Sequence, residues 1–421
     1  MQQPFFKLSP RLAELDKEVM ELLQEQFAKI DQITEYNQLK MLNAFIKNGV
    51  SESHFVASTG YGYGDRGREV IDLVAADAFG AEAAIVRHNF VSGTHALTVA
   101  LFGLLRPGDT MLCVTGRPYD TLLGVIGLNG ESDGSLKEFG IGYDDVALFP
   151  DGTVDYEGIE ARLKKGGFNI VYIQRSRGYS LRPSLTVEDI EKITKLSKSI
   201  CPNIPVVVDN CYGEFVQTRE PCDVGADLIV GSLIKNVGGG IASTGGYIAG
   251  RADLVEKCSY RLTVPNAGSE IGATLGHSRE LFMGLFNAPH LTGEAVKTAV
   301  YSACLLEKLG FAVSPRWDEV RGDIIQTLTL GTPERLVDFC RGLQKGMPVD
   351  AFLRPDPSEM PGYDCDIIMA CGSFTLGATS ELSADAPLRE PYAAWLQGSL
   401  NFHSGKMGVL LAVDSLLEDS L

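Results

Sequence analysis

Between residues 83 and 250 the chain repeats one pattern, a short apolar run followed by an amphipathic stretch. That repetition restricts the possible folds more than any other feature. Apolar runs at 83–86, 111–114, 146–149, 170–173, 206–208, 228–230 and 247–249 have the length and composition of strands. The stretches between them carry helix signals over 96–105, 121–128, 154–164 and 186–199, with another at 252–260 after the last run; Thr186 is a capping residue with Asp189 three positions on. Strands that alternate with helices predict a mainly parallel sheet with helices on both faces. At 421 residues the chain is too long for a single core, so a second, smaller domain is expected. Residues 1–58 read as an N-terminal helical arm. Within it Ser9 and Pro10 start a helix, and Leu12, Leu15, Val19, Leu22, Leu23, Phe27 and Ile30 recur at helical spacing. A second helix is expected at 37–47. Residues 59–300 form the large domain, and 301–421 a smaller α+β domain. The latter combines strands at 324–330, 367–370 and 374–376, a helix at 333–345, and a polar loop over 381–392.

In parallel sheets of this kind ligands bind at the carboxyl ends of the strands, and the informative polar residues fall there. Ser92, Gly93 and Thr94 join a strand to a helix, the geometry of an anion site with free backbone N–H groups; a plain capped helix start is the alternative. The GxxxxGK[ST] phosphate loop is absent. Tyr119, the run Gln174, Arg175, Ser176 and Arg177, and Asp209 lie at later strand ends. Asp209 closes a run of three valines, where a carboxylate is costly unless a cation or strong donor meets it. It would serve either as a helix cap or to keep a pyridine nitrogen protonated. Lys235 follows Ser232 by three residues and precedes three glycines. An amine freed of its proton by burial attacks aldehydes, which is how pyridoxal phosphate is held by enzymes; an ordinary loop lysine is the other reading. Earlier in the chain, TGYGYGDRGRE at 59–69 sets tyrosines and arginines among glycines. Tyr61 or Tyr63 with Arg66 would bind a phosphate, or the segment would form an aromatic turn at an interface. Arg389 stands alone in a polar loop and would grip a carboxylate through two parallel hydrogen bonds, or pair with a surface carboxylate.

A net charge of −17 argues against nucleic acid or an anionic membrane surface as partner. No apolar run reaches membrane-spanning length, and the start MQQPFFKLSP has no signal-peptide character, so a cytoplasmic protein is expected. Nine scattered cysteines contain no CxxC pair, and His277 and His290 show no ligand spacing, so no metal site is expected.

Taken together, the phrases YGYGDRGRE, HNFVSGTHAL, TGRPYDTL, IQRSRGYSLRPS, VVVDNCYGEF, GSLIKNVGGGIASTGGYIAG and ELSADAPLREPY resemble a fold-type I pyridoxal-phosphate enzyme. More narrowly, they resemble the methionine gamma-lyase-like family, also labelled aluminium resistance protein and related to cystathionine beta-lyase. The resemblance extends from about residue 60 to 395. It implies a fold-type I PLP-dependent transferase-like α/β architecture and pyridoxal 5'-phosphate as cofactor. Lys235 would bond to the cofactor aldehyde and later shuttle the substrate Cα proton. Asp209 would pair with the ring nitrogen, and Ser92, Gly93, Thr94 and Ser232 would hold the phosphate. Tyr119 would stack on the ring and protonate the leaving sulfur. Tyr63 and Arg66 would complete the site of a second subunit, which makes the protein a homodimer or homotetramer with shared active sites. Arg175 or Arg177 would lie near the ring oxygen or the substrate, and Arg389 would bind the substrate carboxylate.

The sequence departs from the trans-sulfuration enzymes at two points. Their Ser-Gly-Met is here Ser-Gly-Thr-His, and their tyrosine-x-arginine is here Tyr63-Gly-Asp-Arg66, one residue longer. The expected activity is a carbon–sulfur lyase that turns a sulfur amino acid of the cystathionine, cysteine or methionine class into a 2-oxo acid, ammonia and a thiol, by β- or γ-elimination. Another pyridoxal-phosphate reaction, such as an aminotransferase or aldolase, and a non-enzymatic stress or metal-tolerance role are the alternatives.

Overall fold

Valine and isoleucine runs that are buried on both faces build the central sheet of the protein, described here from a computed structural model over residues 5–129, 133–359 and 365–418. Its seven strands are β1 (Ala83–Arg87), β2 (Thr110–Cys113), β3 (Gly142–Asp145), β4 (Ile170–Gln174), β5 (Val206–Asp209), β6 (Leu228–Ser232) and β7 (Gly246–Gly250), in the order β1-β7-β6-β5-β4-β2-β3. β2 to β6 pair in parallel, whereas β7 is antiparallel to both β6 and β1. Two reversals give β1 the direction of β6, so its carboxyl end lies on the same edge as those of β4, β5 and β6. β4, β5, β6 and β7 are buried along their whole length, which explains why they read as continuous apolar runs.

Two hydrophobic clusters cover the two faces of this sheet. One gathers Ile71, Val74, Val171, Val208, Ile229 and Tyr247; the other gathers Leu97, Leu101, Met111, Tyr172, Val207 and Val230. The helices are α1 (Pro10–Leu22), α2 (Gln24–Lys47), α3 (Arg66–Phe79), α4 (Gly93–Leu104), α5 (Asp120–Ile126), α6 (Tyr156–Lys165), α7 (Val187–Ile200), α8 (Ala252–Leu262), α9 (Ser278–Lys308), α10 (Pro333–Gln344) and α11 (Phe402–Glu418). α7 begins where its caps dictate: Thr186 Oγ1 accepts the Asp189 N–H, and the Asp189 carboxylate takes the Thr186 N–H at 3.1 Å.

The second sheet is antiparallel throughout, in the order β10 (Ile367–Cys371), β11 (Ser383–Pro387), β12 (Ala393–Gln397), β9 (Gln326–Thr329), β8 (Ala312–Ser314). The chain divides into two compact units, Met1–Thr34 with His290–Leu421, and Glu35–Pro289. These boundaries differ from the 58/59 and 300/301 read from the sequence. They fall inside the continuous helices α2 and α9, where no run of turn residues marks them.

Several local expectations are corrected. The N-terminal helix breaks at Leu23, and α2 starts at Gln24 rather than near 37. β3 occupies Gly142–Asp145 instead of 146–149. As an edge strand paired with β2 alone it is half-buried, and its polar residues carry no apolar signal. Residues 374–376 form no strand, because the Glu381 carboxylate accepts the N–H groups of Phe374 and Thr375 that a neighbouring strand would otherwise take. Conversely, 383–387, inside the expected polar loop, is the buried strand β11; its Asp and Pro suppress the strand signal. Among the described residues no helix is long and apolar enough to cross a membrane.

Candidate active site

The carboxyl edge of the first sheet is assembled from segments far apart in sequence. After β1, residues 88–92 must pass over β7 to reach β6, two strands and roughly 10 Å away. Glycines at the start of β7 make that passage possible. A Cβ on Gly246 would lie 3.1 Å from Phe90 Cβ and from Ala96 Cβ, and one on Gly245 2.6 Å from the Arg87 carbonyl oxygen. The crossing ends at Gly93, where a Cβ would stand 3.1 Å from Ser232 Cβ and 3.5 Å from Cys211 Sγ. Gly93 opens α4, whose cap Ser92 accepts the His95 N–H at 3.0 Å. His95 Nδ1 in turn accepts the Val91 N–H at 3.1 Å, a neutral-ring role consistent with burial holding its proton affinity down.

Around this helix start stand Thr94, Tyr119, Asp209, Ser232 and Lys235. Thr94 Oγ1 lies 3.0 Å from both Tyr119 Oη and Thr121 Oγ1. The Tyr119 N–H donates to Gln174 Oε1 at 2.9 Å, which fixes Tyr119 to the end of β4. Burial, reinforced by Asp209, raises the Tyr119 phenol well above its ordinary range. Asp209 is 5% exposed; burial pushes its carboxyl up, while hydrogen bonds from Cys211 and the charges of Lys235 and Arg182 oppose that. The Cys211 N–H donates to Asp209 Oδ1 at 3.1 Å.

Lys235 Nζ sits 3.5 Å from the centre of the Tyr212 ring. Burial acts to lower its proton affinity, but Tyr212, Cys211 and Asp209 outweigh it and the net shift is upward. The amine is therefore not freed of its proton by burial alone, contrary to the sequence expectation.

These residues fit pyridoxal phosphate. Ser232 Oγ is buried and has no hydrogen-bond partner among the described residues, on the edge where a phosphate would meet the N-terminus of α4. Gly93 leaves the space beside it open, and a lysine and a buried carboxylate flank the same edge.

The other expected site residues have varied surroundings. Arg175 is fully buried, donating to Asn210 Oδ1 at 2.8 Å and lying 3.7 Å from the Glu220 carboxylate. Its guanidinium is thus committed to the interior behind Asp209 rather than to a ligand. Arg177 is buried in the turn after β4, where its carbonyl accepts the Ser180 N–H and hydroxyl. Tyr61 and Tyr63 stack on each other at 5.6 Å and are each more than two-thirds exposed. Arg66 is exposed and reaches His54 Nε2 at 3.4 Å. The loop bearing the tyrosines is pinned by Arg68, which donates to the carbonyls of Gly62, Gly272 and Glu270. Arg389 is exposed, just after β11 in the other unit. Among the described residues, no group of three or more His, Cys, Asp and Glu is placed to hold a metal.

Sequence reasoning missed Cys211, Tyr212 and Arg182. The first two follow Asp209 directly, in the turn after a strand's carboxyl end, and that position was the available signal. Arg182 bonds the Gln174 carbonyl at 2.8 Å and the Ser176 carbonyl, and no motif announces it.

Comparison with known proteins agrees with this geometry. A carbon-sulfur lyase involved in aluminum resistance from Clostridium novyi NT is 51% identical, with a TM-score of 0.93 over 97% of this chain and 96% of that one. A proposed cystathionine beta-lyase involved in aluminum resistance from Clostridium acetobutylicum is 48% identical, with a TM-score of 0.94 over the same shares. YnbB of Bacillus subtilis (strain 168) is 48% identical across 93% of each chain. The family model described as methionine gamma-lyase matches residues 12–417, and the chain therefore belongs to the methionine gamma-lyase family of carbon–sulfur lyases.

Proposed function

We propose that the protein is a pyridoxal-phosphate-dependent lyase that cleaves a carbon–sulfur bond in an amino acid of the cystathionine, cysteine or methionine class. One observation carries this reading: Lys235, Asp209 and the unpartnered Ser232 hydroxyl converge on one sheet edge, at the start of α4. Pyridoxal phosphate is the cofactor of the methionine gamma-lyase family. When bound, it takes up the electron pair left as an amino acid loses its Cα proton.

Lys235 would supply the covalent anchor and a base at Cα. Asp209 would hold the proton on the ring nitrogen. Ser232 Oγ, the backbone of Gly93 and Thr94, and the dipole of α4 would hold the phosphate. Tyr119 keeps its phenol proton at all working pH values, because burial disfavours the phenolate. Such a phenol is suited to protonate a departing thiolate. The exposed Tyr61–Tyr63 stack supports a homodimer or homotetramer in which Tyr63 and Arg66 complete a neighbouring copy's site.

A panel of cystathionine, cysteine and methionine on cofactor-loaded protein tests this reading. The expected products are a 2-oxo acid, ammonia and a thiol in equal amounts, and none from Lys235→Ala. Amino transfer to an added 2-oxo acid without ammonia or thiol, or turnover retained in Lys235→Ala, would overturn it.

A further inference from the structure

The turn that follows Asp209 is built more firmly than a capping loop requires. Tyr212 has φ 68°, a left-handed conformation that costs a bulky side chain energy and persists only where its surroundings enforce it. Contacts on both sides of the turn enforce it. Arg175 holds Asn210, and Gly213 packs so tightly on Arg175 that a Cβ would come within 2.4 Å of Cδ. The Phe215 N–H donates to Glu220 Oε1 at 2.8 Å. Asn236, the residue after Lys235, donates its side-chain N–H to the Glu214 carbonyl at 3.0 Å. The lysine and the turn are thereby tied together, and the product of this construction is a buried aromatic ring 3.5 Å from Lys235 Nζ.

We propose that Tyr212 is a further catalytic side chain, its ring seating the protonated Lys235 amine whenever that nitrogen carries no cofactor. The inference rests on Lys235 being the cofactor lysine. An ammonium within about 6 Å of a ring face is attracted by its quadrupole, more strongly once desolvated. The titratable groups facing the amine are Tyr212, Cys211 and Asp209, with Arg182 acting on Asp209; their sum favours the charged amine despite burial. Tyr212 thus gives Lys235 a defined place before cofactor arrives, and again once the freed amine has acted as base and carries a proton.

The test acetylates the cofactor-free full-length protein with acetic anhydride across the neutral and alkaline range and follows Lys235 by peptide mass spectrometry. Wild-type Lys235 should half-react at a higher pH than the exposed lysines. Tyr212→Leu should lower that pH by about one unit, and Tyr212→Phe by less, since the hydroxyl's hydrogen bond to the amine is lost while the ring face stays. A Leu variant with the wild-type profile overturns the proposal. So does wild-type Lys235 reacting at or below the pH of surface lysines, a measurement that needs no variant to fold. In parallel, borohydride reduction of loaded wild type locates the cofactor. Cofactor fixed on another lysine sinks the lyase reading, and with it the catalytic status of Tyr212.

Discussion

Glu214 gives a stability test that depends on one buried proton. Its side chain is fully buried beside β7, where the Tyr247 hydroxyl donates to Oε1 at 2.8 Å. Burial, with Glu220 adding to it, pushes the carboxyl from the ordinary 4.5 up to about 8. The folded protein therefore binds a proton that the unfolded chain releases, and stability falls as the pH rises across this interval. The contribution is fully present below about pH 4.5 and is lost as the pH climbs through about 8. At about 1.4 kcal/mol per tenfold change in proton affinity, the whole interval is worth about 5 kcal/mol. Glu214→Gln keeps the shape and removes the titration. The amide brings one more donor hydrogen than a protonated carboxyl, a pH-independent offset of about 1–3 kcal/mol. The slope therefore decides, not the sign at one pH. Urea unfolding read by circular dichroism should show the variant gaining about 4 kcal/mol on the wild type between about pH 5 and about pH 9. All other carboxylates are common to both proteins and cancel. Parallel stability curves would refute a neutral Glu214.

Ser232→Ala removes a buried hydroxyl without a protein partner, so the cofactor-free protein should be as stable or up to about 1 kcal/mol more so. Its dissociation constant for pyridoxal phosphate, read by absorbance titration, should rise roughly 10- to 100-fold, since a charge-assisted bond is lost. Gly93→Ala should behave similarly. Alanine favours the helix by about 0.5–1 kcal/mol, but its methyl crowds Ser232 and Cys211, and cofactor affinity should drop at least about tenfold. Arg175→Met leaves Glu220 and Asn210 without their buried cation, and unfolding free energy should fall by about 3–5 kcal/mol; a melting temperature unchanged within error contradicts a structural role for Arg175.

The pattern of runs made the parallel sheet legible, because strands covered on both faces must be apolar throughout, as in Val206, Val207 and Val208. The same logic hid β3 and β11. β3 is an edge and tolerates Asp144 and Asp145, while β11 is central but built from Ser383, Asp385 and Pro387 among alanines. The sequence also showed the strand ends at Asp209 and Ser232, and the Thr186 cap with its reciprocal bonds. It misplaced Arg175, because one residue decides which side of a strand a side chain leaves. Arg175 follows Gln174 at the end of β4; Gln174 turns to Tyr119 and Arg175 to the interior. Nothing in a single sequence distinguishes those two directions.

The antiparallel strand β7 is the least conspicuous part of this design and the one on which the meeting of α4 with β6 depends. Had β1 paired directly with β6, a short connection would have carried the chain from β1 into α4. With β7 between them, residues 88–92 must travel across a strand while keeping β1 parallel to β6. Gly245 and Gly246 exist for that crossing, since any side chain there meets Arg87, His88 or Phe90. What the passage delivers is Gly93 against Ser232, at a distance that leaves only a glycine on one side and an unpaired hydroxyl on the other.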